Sequence, residues 1–383
     1  MTRRSDERGI ALILAVFALV VIGALVAGIF YTAQLEQRSG SNALSGQQAA
    51  DAAQAGIDYA IANWDNAWTT MGTGNSITVS NKQLGSTGAY YTDLVTALNG
   101  FTYLVTATGQ SKNGSGSVLA TRTYGMIYKK NIPTLNVQSS VTVAGGVSVG
   151  GSADINGNDV PPTAGGWSST CAGQPTANQP AIRTDSSVST HGSPTLTGGT
   201  VSHDSTVGTT ITDVNQAYNT FINSANVTIA PGTMTSIQPV LNATTHACDR
   251  TQTTNWGDPE HESYAAYTVG ATTTYPCASY YPIIHVTGDL KVTGNIGQGV
   301  LLVDGNFTSG GGFTFYGLVI VKGSITKGTG TSNFYGGLLS ESASITDDLT
   351  GTINIQYSSC AINTVVSNSA VARPIVQRPF IQY

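Results

Sequence analysis

Charge is what this sequence has least of. Asp, Glu, Lys and Arg supply 10% of its 383 residues, against about 25% in an ordinary globular domain. The basic residues number 16 and are scattered, and the net charge is −5, which excludes the basic stripe of a nucleic-acid binder. Disorder is excluded for a different reason. A disordered chain combines low hydrophobicity with high net charge, whereas 40% of these residues are hydrophobic, enough to bury a core. Metal-binding patterns are missing as well. His191, His203, His246, His261 and His285 are dispersed, with no H-x-x-x-H or HExxH pair, and the four cysteines form no C-x-x-C motif. Zinc spacing is therefore absent, and neither a metal nor a cofactor is expected.

What is present begins at the N-terminus. Ile10 to Tyr31 is a run of 22 residues without a charge, preceded by the leader MTRRSDERG. As a helix it would span about 33 Å, the thickness of a bilayer core. Arg3, Arg4 and Arg8 precede the run, and the first charge beyond it is Glu36. This asymmetry places residues 1–9 in the cytoplasm, makes 10–31 a single transmembrane helix and exports the rest. A cleaved secretory signal would have a shorter apolar region and a small-x-small cleavage site; here the run continues through YTAQLEQR without one. A plain signal anchor fits the hydropathy equally well.

A third reading rests on Gly9, which closes the charged leader directly before the apolar run. The segments ERGIALILAVFALVVIGALVAGIF and QQAADAAQAGIDYAIANW resemble the N-terminal region of PilX-type minor pilins. They are also similar, more distantly, to the GspK-type minor pseudopilin of type II secretion. The resemblance covers roughly the first 65 residues. It implies cleavage by prepilin peptidase between Gly9 and Ile10, methylation of the new amine, and a helix that packs with other pilins and with the lipid bilayer. It also implies an inner-membrane protein that later reaches a pilus or the cell surface. Two residues depart from the major-pilin pattern: Ile10 stands where Phe is usual, and Leu14 where major pilins carry a Glu that pairs with a neighbour's amino terminus. The absence of that Glu resembles atypical minor subunits, which need no such partner at a filament tip, and argues against repeated polymerisation.

The overall expectation is an α+β protein. Ala49, Ala53, Ile57, Ile61 and Trp64 recur at spacings of four and three, so the helix should continue to about Trp64 with one apolar face. Gly40, Gly46 and the stretch SGSN at 39–42 mark a place for it to bend or melt. Residues 32–130 should combine this continuation with a small antiparallel, pilin-like sheet. FTYLVTATG (101–109) and SVLATRTYGMIY (117–128) are strand-like, with a turn signal at Asn113-Gly114.

From 131 to 383 the Gly/Ser/Thr-rich chain reads as a β-solenoid, akin to a parallel β-helix. HVTGDLKV, LVDGNFTS and IVKGSITK repeat with their glycines at 288, 305 and 323, and a second series falls at Gly299, Gly317 and Gly337. Periods near 20 of strand and turn point to stacked coils. Val286, Val303 and Val321 should then stack, and SSVTVAGGVSVGGSADING (139–157) should be an earlier coil. An insertion is expected over about 205–280, with Val214, Tyr218, Phe221 and Ile222 on one helical face, and a C-terminal cap over YSSCAINTVVSNSAVARPIVQRPFIQY. A β-sandwich of hairpins is the alternative, with turn spacing of about 8–12 rather than 18.

Export favours disulfides. Four cysteines allow three connectivities; Cys248 and Cys277 flank one turn-rich segment and are the favoured pair, leaving Cys171 with Cys360. Free thiols are the alternative. Catalytic groupings are weak. In WGDPEHESY, Asp258, Glu260, His261 and Glu262 fall within five residues, a pattern that a solvated Asp-Pro turn explains. DINGND (154–159) lacks the calcium-loop register. Asp289 and Asp304, with Lys291, are the candidates for a polysaccharide lyase or hydrolase. The expected function is a structural, non-enzymatic minor pilin that takes part in pilus assembly or displays its β-rich head for adhesion. A type II secretion pseudopilin and a membrane-tethered carbohydrate-active enzyme are the alternatives.

Overall fold

The computed structural model describes residues 7–64, 68, 71–131, 135–174, 176–342, 347–349, 352–368, 371–374 and 380–382. The leader therefore lies outside the described residues up to position 6. The fold combines a long, apolar N-terminal helix with a large β-rich body. It divides into two compact units, residues 1–130 with 372–383, and residues 131–371.

In the first unit, helix α1 runs unbroken from Glu7 to Ala62. The helix does not melt at SGSN. One glycine in a helix costs about 1 kcal/mol, too little to break a helix that continues on both sides. Four antiparallel strands follow: β1 (Ser76–Gln83), β2 (Ala89–Asn99), β3 (Thr102–Lys112) and β4 (Val118–Asn131). Ala49, Ala53 and Ile57 of α1 are buried on this sheet. Gly109 of β3 allows the close approach, because a Cβ there would collide with the backbone of Ala49 and Ala53. Trp64 and Trp68 meet edge to face, and Trp64 meets Tyr103 in the same way. The β3–β4 connection is wider than an Asn-Gly two-residue turn. Asn113 accepts bonds through Oδ1 from the Ser115 and Ser117 amides, and Gly116, not Gly114, takes the positive φ.

The second unit opens with β5 (Val141–Val143), β6 (Val147–Gly151) and β7 (Asp154–Asn156), then the single turn α2 (Trp167–Thr170). Next come β8 (Ile182–Thr184), β9 (Val188–Gly192), β10 (Thr195–Thr197) and β11 (Thr200–Val201). Helix α3 (Val207–Ile222) leads to β12 (Val227–Ile229) and β13 (Gly232–Met234), and a small hairpin follows, β14 (Tyr267–Val269) with β15 (Thr272–Thr274). The longest run of strands comprises β16 (Ile283–Val286), β17 (Leu290–Thr293), β18 (Ile296–Val303), β19 (Phe307–Gly310), β20 (Phe313–Val321), β21 (Ile325–Lys327), β22 (Thr331–Ser340), β23 (Asp347–Leu349) and β24 (Thr352–Tyr357). Helix α4 (Ser359–Asn368) and strands β25 (Val371–Pro374) and β26 (Phe380–Gln382) end the chain.

Apart from β14–β15, the described strand pairs of this unit are parallel. Val286 pairs with Val303, Val303 with Val321 and Val321 with Ser340, offsets of 17, 18 and 19 residues. All three valines are fully buried. The second glycine series stacks as Gly299, Gly317 and Gly336, one residue away from the expected Gly337. These three have φ of +117°, +132° and +141°, values that glycine adopts without strain; Gly337 lacks this conformation.

The runs VLLV and LVIV are continuously apolar because their sheet is covered on both faces. Leu301 and Val303 join the inner core between the two sheets, while Val300 and Leu302 join a second core with Tyr218 and Phe221 of α3 and Val365 of α4.

Three sequence expectations need correction. First, the coil at 139–157 is not earlier in space: β22 pairs through 331–336 with β24 and through 338–340 with β5, and β6 follows β23. The early strands thus stack beyond the late ones, and α3 joins β11 at one end to β12 at the other. Second, the insertion is narrower than 205–280, because β12 and β13 belong to the parallel sheets. Third, the tail does not cap the sheets as one piece. Its first part is α4, packed against β18, β20 and β22, whereas β26 belongs to the first unit, where it pairs with β4. Residues 369–370, 375–379 and 383 lie outside the described part.

Candidate functional site

Among the described residues, most of the exposed large hydrophobic side chains lie on α1. Leu12, Phe17 and Ile29 are 68%, 66% and 67% exposed, and the helix is long and apolar enough to cross a membrane. The contrast within one helix is sharp: from Ala49 onward its sheet-facing residues are buried. Contiguous exposed apolar surface of this kind marks contact with lipid or with other helices. Gly9 and Ile10 lie in the first turns of α1.

The sulfurs are joined as Cys171–Cys360 and Cys248–Cys277. The first bond ties the turn after α2 to the first turn of α4. The second closes the loop-rich segment between β13 and β16. Asp159, at the end of DINGND, is a structural anchor: Oδ1 accepts from the Ser359 amide and Oδ2 from the Ala177 amide, each at 2.9 Å. This places a carboxylate at the N-terminus of α4, where it caps the helix. Nothing local in the sequence signals that role, because its partners lie 18 and 200 residues away.

Asp289 and Asp304 belong to separate networks. Asp289 Oδ1 accepts from the Asn306 amide at 2.7 Å and from its side chain at 3.2 Å, bracing one turn on the next. Asp304 accepts from the Tyr218 hydroxyl at 2.8 Å and contacts His285 Nε2 at 2.9 Å, with Lys322 Nζ at 3.6 Å. Burial would raise the Asp304 carboxyl, but the bonds from Tyr218 and His285 and the nearby Lys322 outweigh it, and its pKa is held below the ordinary range. Burial, then Asp304 itself, raises the Tyr218 hydroxyl. This network fastens α3 to the sheet, and Lys291 is not among its groups. The sequence missed it because Tyr218 reads as one more apolar residue of its helix face.

The WGDPEHESY cluster is only partly solvated. Asp258 is fully buried, with Oδ1 accepting from the Glu262 amide at 2.8 Å, and burial raises its pKa. Glu260 accepts from the Tyr316 hydroxyl at 2.8 Å, and His261 stacks on Tyr275. Among the described residues no group of three or more His, Cys, Asp or Glu side chains could hold a metal.

No family model matches the chain, and no curated protein matches it. Among solved structures, the competence-associated pilin ComZ from Thermus thermophilus aligns at 11% identity, over 88% of this chain and 98% of that one, with a TM-score of 0.25. A likeness of that size carries no argument about fold or function.

Proposed function

We propose that this chain is a membrane-anchored, structural minor pilin of a type IV pilus-like filament. One observation carries the reading: an uncharged, solvent-exposed half-helix, entered from an Arg-rich leader that ends at Gly9, continues without a break into a half buried on its own antiparallel sheet. Such a helix is held by lipid before assembly and by the helices of other pilins after it. Prepilin peptidase would cut between Gly9 and Ile10 and leave a methylated Ile10. The chain would thus begin as a single-pass inner-membrane protein with an exported body, then stand in a pilus at the cell surface.

The second unit is, in this reading, a β-solenoid displayed as the head. Parallel pairing at offsets of 17 to 19 residues and the stacked positive-φ glycines support this. Its role in this reading is assembly or surface contact and not catalysis: Asp289 and Asp304 sit in separate hydrogen-bond networks rather than facing one another, although Asp289 and Lys291 line one open cavity.

N-terminal mass analysis of membrane-extracted protein tests the processing step. A mature chain starting at Ile10 is expected, and intact Met1 would reduce α1 to a plain signal anchor. Co-purification with filaments tests the assembly step. Val20→Arg, which costs at least about 2.5–3.5 kcal/mol at mid-membrane, should remove the protein from them.

A further inference from the structure

The outer face shared by β22, β24 and β7 carries two cross-strand rows. Asn333, Asn354 and Asp154 are paired in one, and Tyr335, Gln356 and Asn156 in the other. A cavity of about 150 Å³ opens between them, lined by all of these except Asn333. We propose that this face is a binding site for an uncharged sugar ring, and hence for a neutral glycan.

The amides are fixed before any ligand arrives. Asn354 Nδ2 donates to Asn333 Oδ1 at 2.8 Å, Asn156 Nδ2 donates to Gln356 Oε1 at 2.9 Å, and Gln356 Nε2 donates to the Asn158 and Tyr357 carbonyls. Each carboxamide has two N–H donors and a two-lone-pair acceptor, so the ladder leaves Asn354 and Asn156 with capacity to spare. The half-buried Tyr335 ring is held in place by stacking on Tyr316, 4.7 Å between centroids at 12°. Fixed planar amides beside an aromatic ring match a ligand that offers both hydroxyls and C–H faces.

Other ligand classes fit less well. Asp154 is the only carboxylate in the lining and no Lys or Arg is present there, so in a chain of net charge −5 phosphates and acidic sugars are repelled. A single carboxylate does not make a cation site. An apolar ligand would strip water from the amides without replacing their hydrogen bonds. A peptide strand needs a free sheet edge, and β24 is paired on both sides. The site uses only the second unit, so it stands or falls independently of the anchor and its processing.

Full-length protein in nanodiscs, free of sugar detergents, can be titrated with maltotetraose and with N-acetylchitotetraose, using tetragalacturonate as the acidic control. Saturation-transfer NMR and calorimetry should show saturable binding of at least one neutral tetrasaccharide and none of the acidic one. Tyr335→Ala and Asn354→Ala should each weaken binding at least tenfold. Asp154→Asn should admit tetragalacturonate. Asn354 is exposed, so its variant should keep the melting temperature even if Tyr335→Ala disturbs the Tyr316 stack. The proposal is overturned if neither neutral sugar binds by about 10 mM, if tetragalacturonate binds equally well, or if Asn354→Ala binds as the parent does.

Discussion

At the scale of single residues, glycine stacking and one buried ion pair set the sharpest constraints. Gly317 has φ of +132°, and a Cβ there would collide with the Gly299 carbonyl on the neighbouring strand. Gly312 has φ of +85°, but open space where its Cβ would point. Gly312→Ala should therefore cost only conformational strain, about 1–3 kcal/mol. Gly317→Ala adds a steric clash to comparable strain and should cost clearly more. Thermal melts of the two variants side by side check the order, and equal losses would mean that Gly299 and Gly317 do not stack as described.

Asp204 adds a pH dependence. Hydrogen bonds from Thr206, then from Arg183, hold its carboxyl down to about 2, and the Arg183 contact is 2.7 Å with both side chains largely buried. A carboxyl depressed in the folded state stabilises it above the unfolded value, about 3.9, and that share is lost as pH falls towards the folded value. Between about pH 4 and pH 2 the parent should lose a contribution that Asp204→Asn lacks from the start. Melting curves of the two proteins should thus converge on acidification; parallel curves would show that Asp204 is not coupled to folding.

At the scale of elements, what was legible in the sequence depended on how local the signal was. The uncharged run and the Ala49, Ala53, Ile57 face are helical periodicities, visible without partners. The repeat glycines and valines were visible because successive paired strands are neighbours in sequence as well as in space. The register was harder to read, since Gly336 and Gly337 are identical letters and only the backbone conformation separates them. Asp159, Tyr218 and the pairing of β22 with β5 were invisible because their partners are remote in sequence. The valine ladder offers the direct test of register. Val303 is flanked by Val286 and Val321 and packs within the inner core, so Val303→Asp would bury a carboxylate without a partner, a change that costs several kcal/mol. Unfolding at or below room temperature, followed by circular dichroism, is the expected result. An unchanged melt would place this face in solvent.

At the scale of the molecule, the order of strands decides how the second unit can fail. In a solenoid whose rungs follow the chain, losing the last rungs leaves a shorter but folded array, because each rung contacts only its neighbours. Here the late strands lie in the middle: β22 is bounded by β20 on one side and by β24 and β5 on the other, and β23 by β21 and β6. The Cys171–Cys360 bond, spanning 189 residues, closes the same long loop from outside the sheets. Truncation after residue 330 would remove β22 to β24 and α4, and with them the surfaces on which β5, β6 and β7 are built. Residues 131–201 would keep only short strands paired among themselves, and Ile155, Val143 and Val149 would lose part of the core that buries them. The expected outcome is loss of structure in the early segment even though none of its residues has been deleted. Limited proteolysis with mass mapping reads this directly: new cuts should cluster between 139 and 201 in the truncated protein and be absent from the parent. Protection of that region after truncation would show that its strands stand alone, and would contradict the strand order described here.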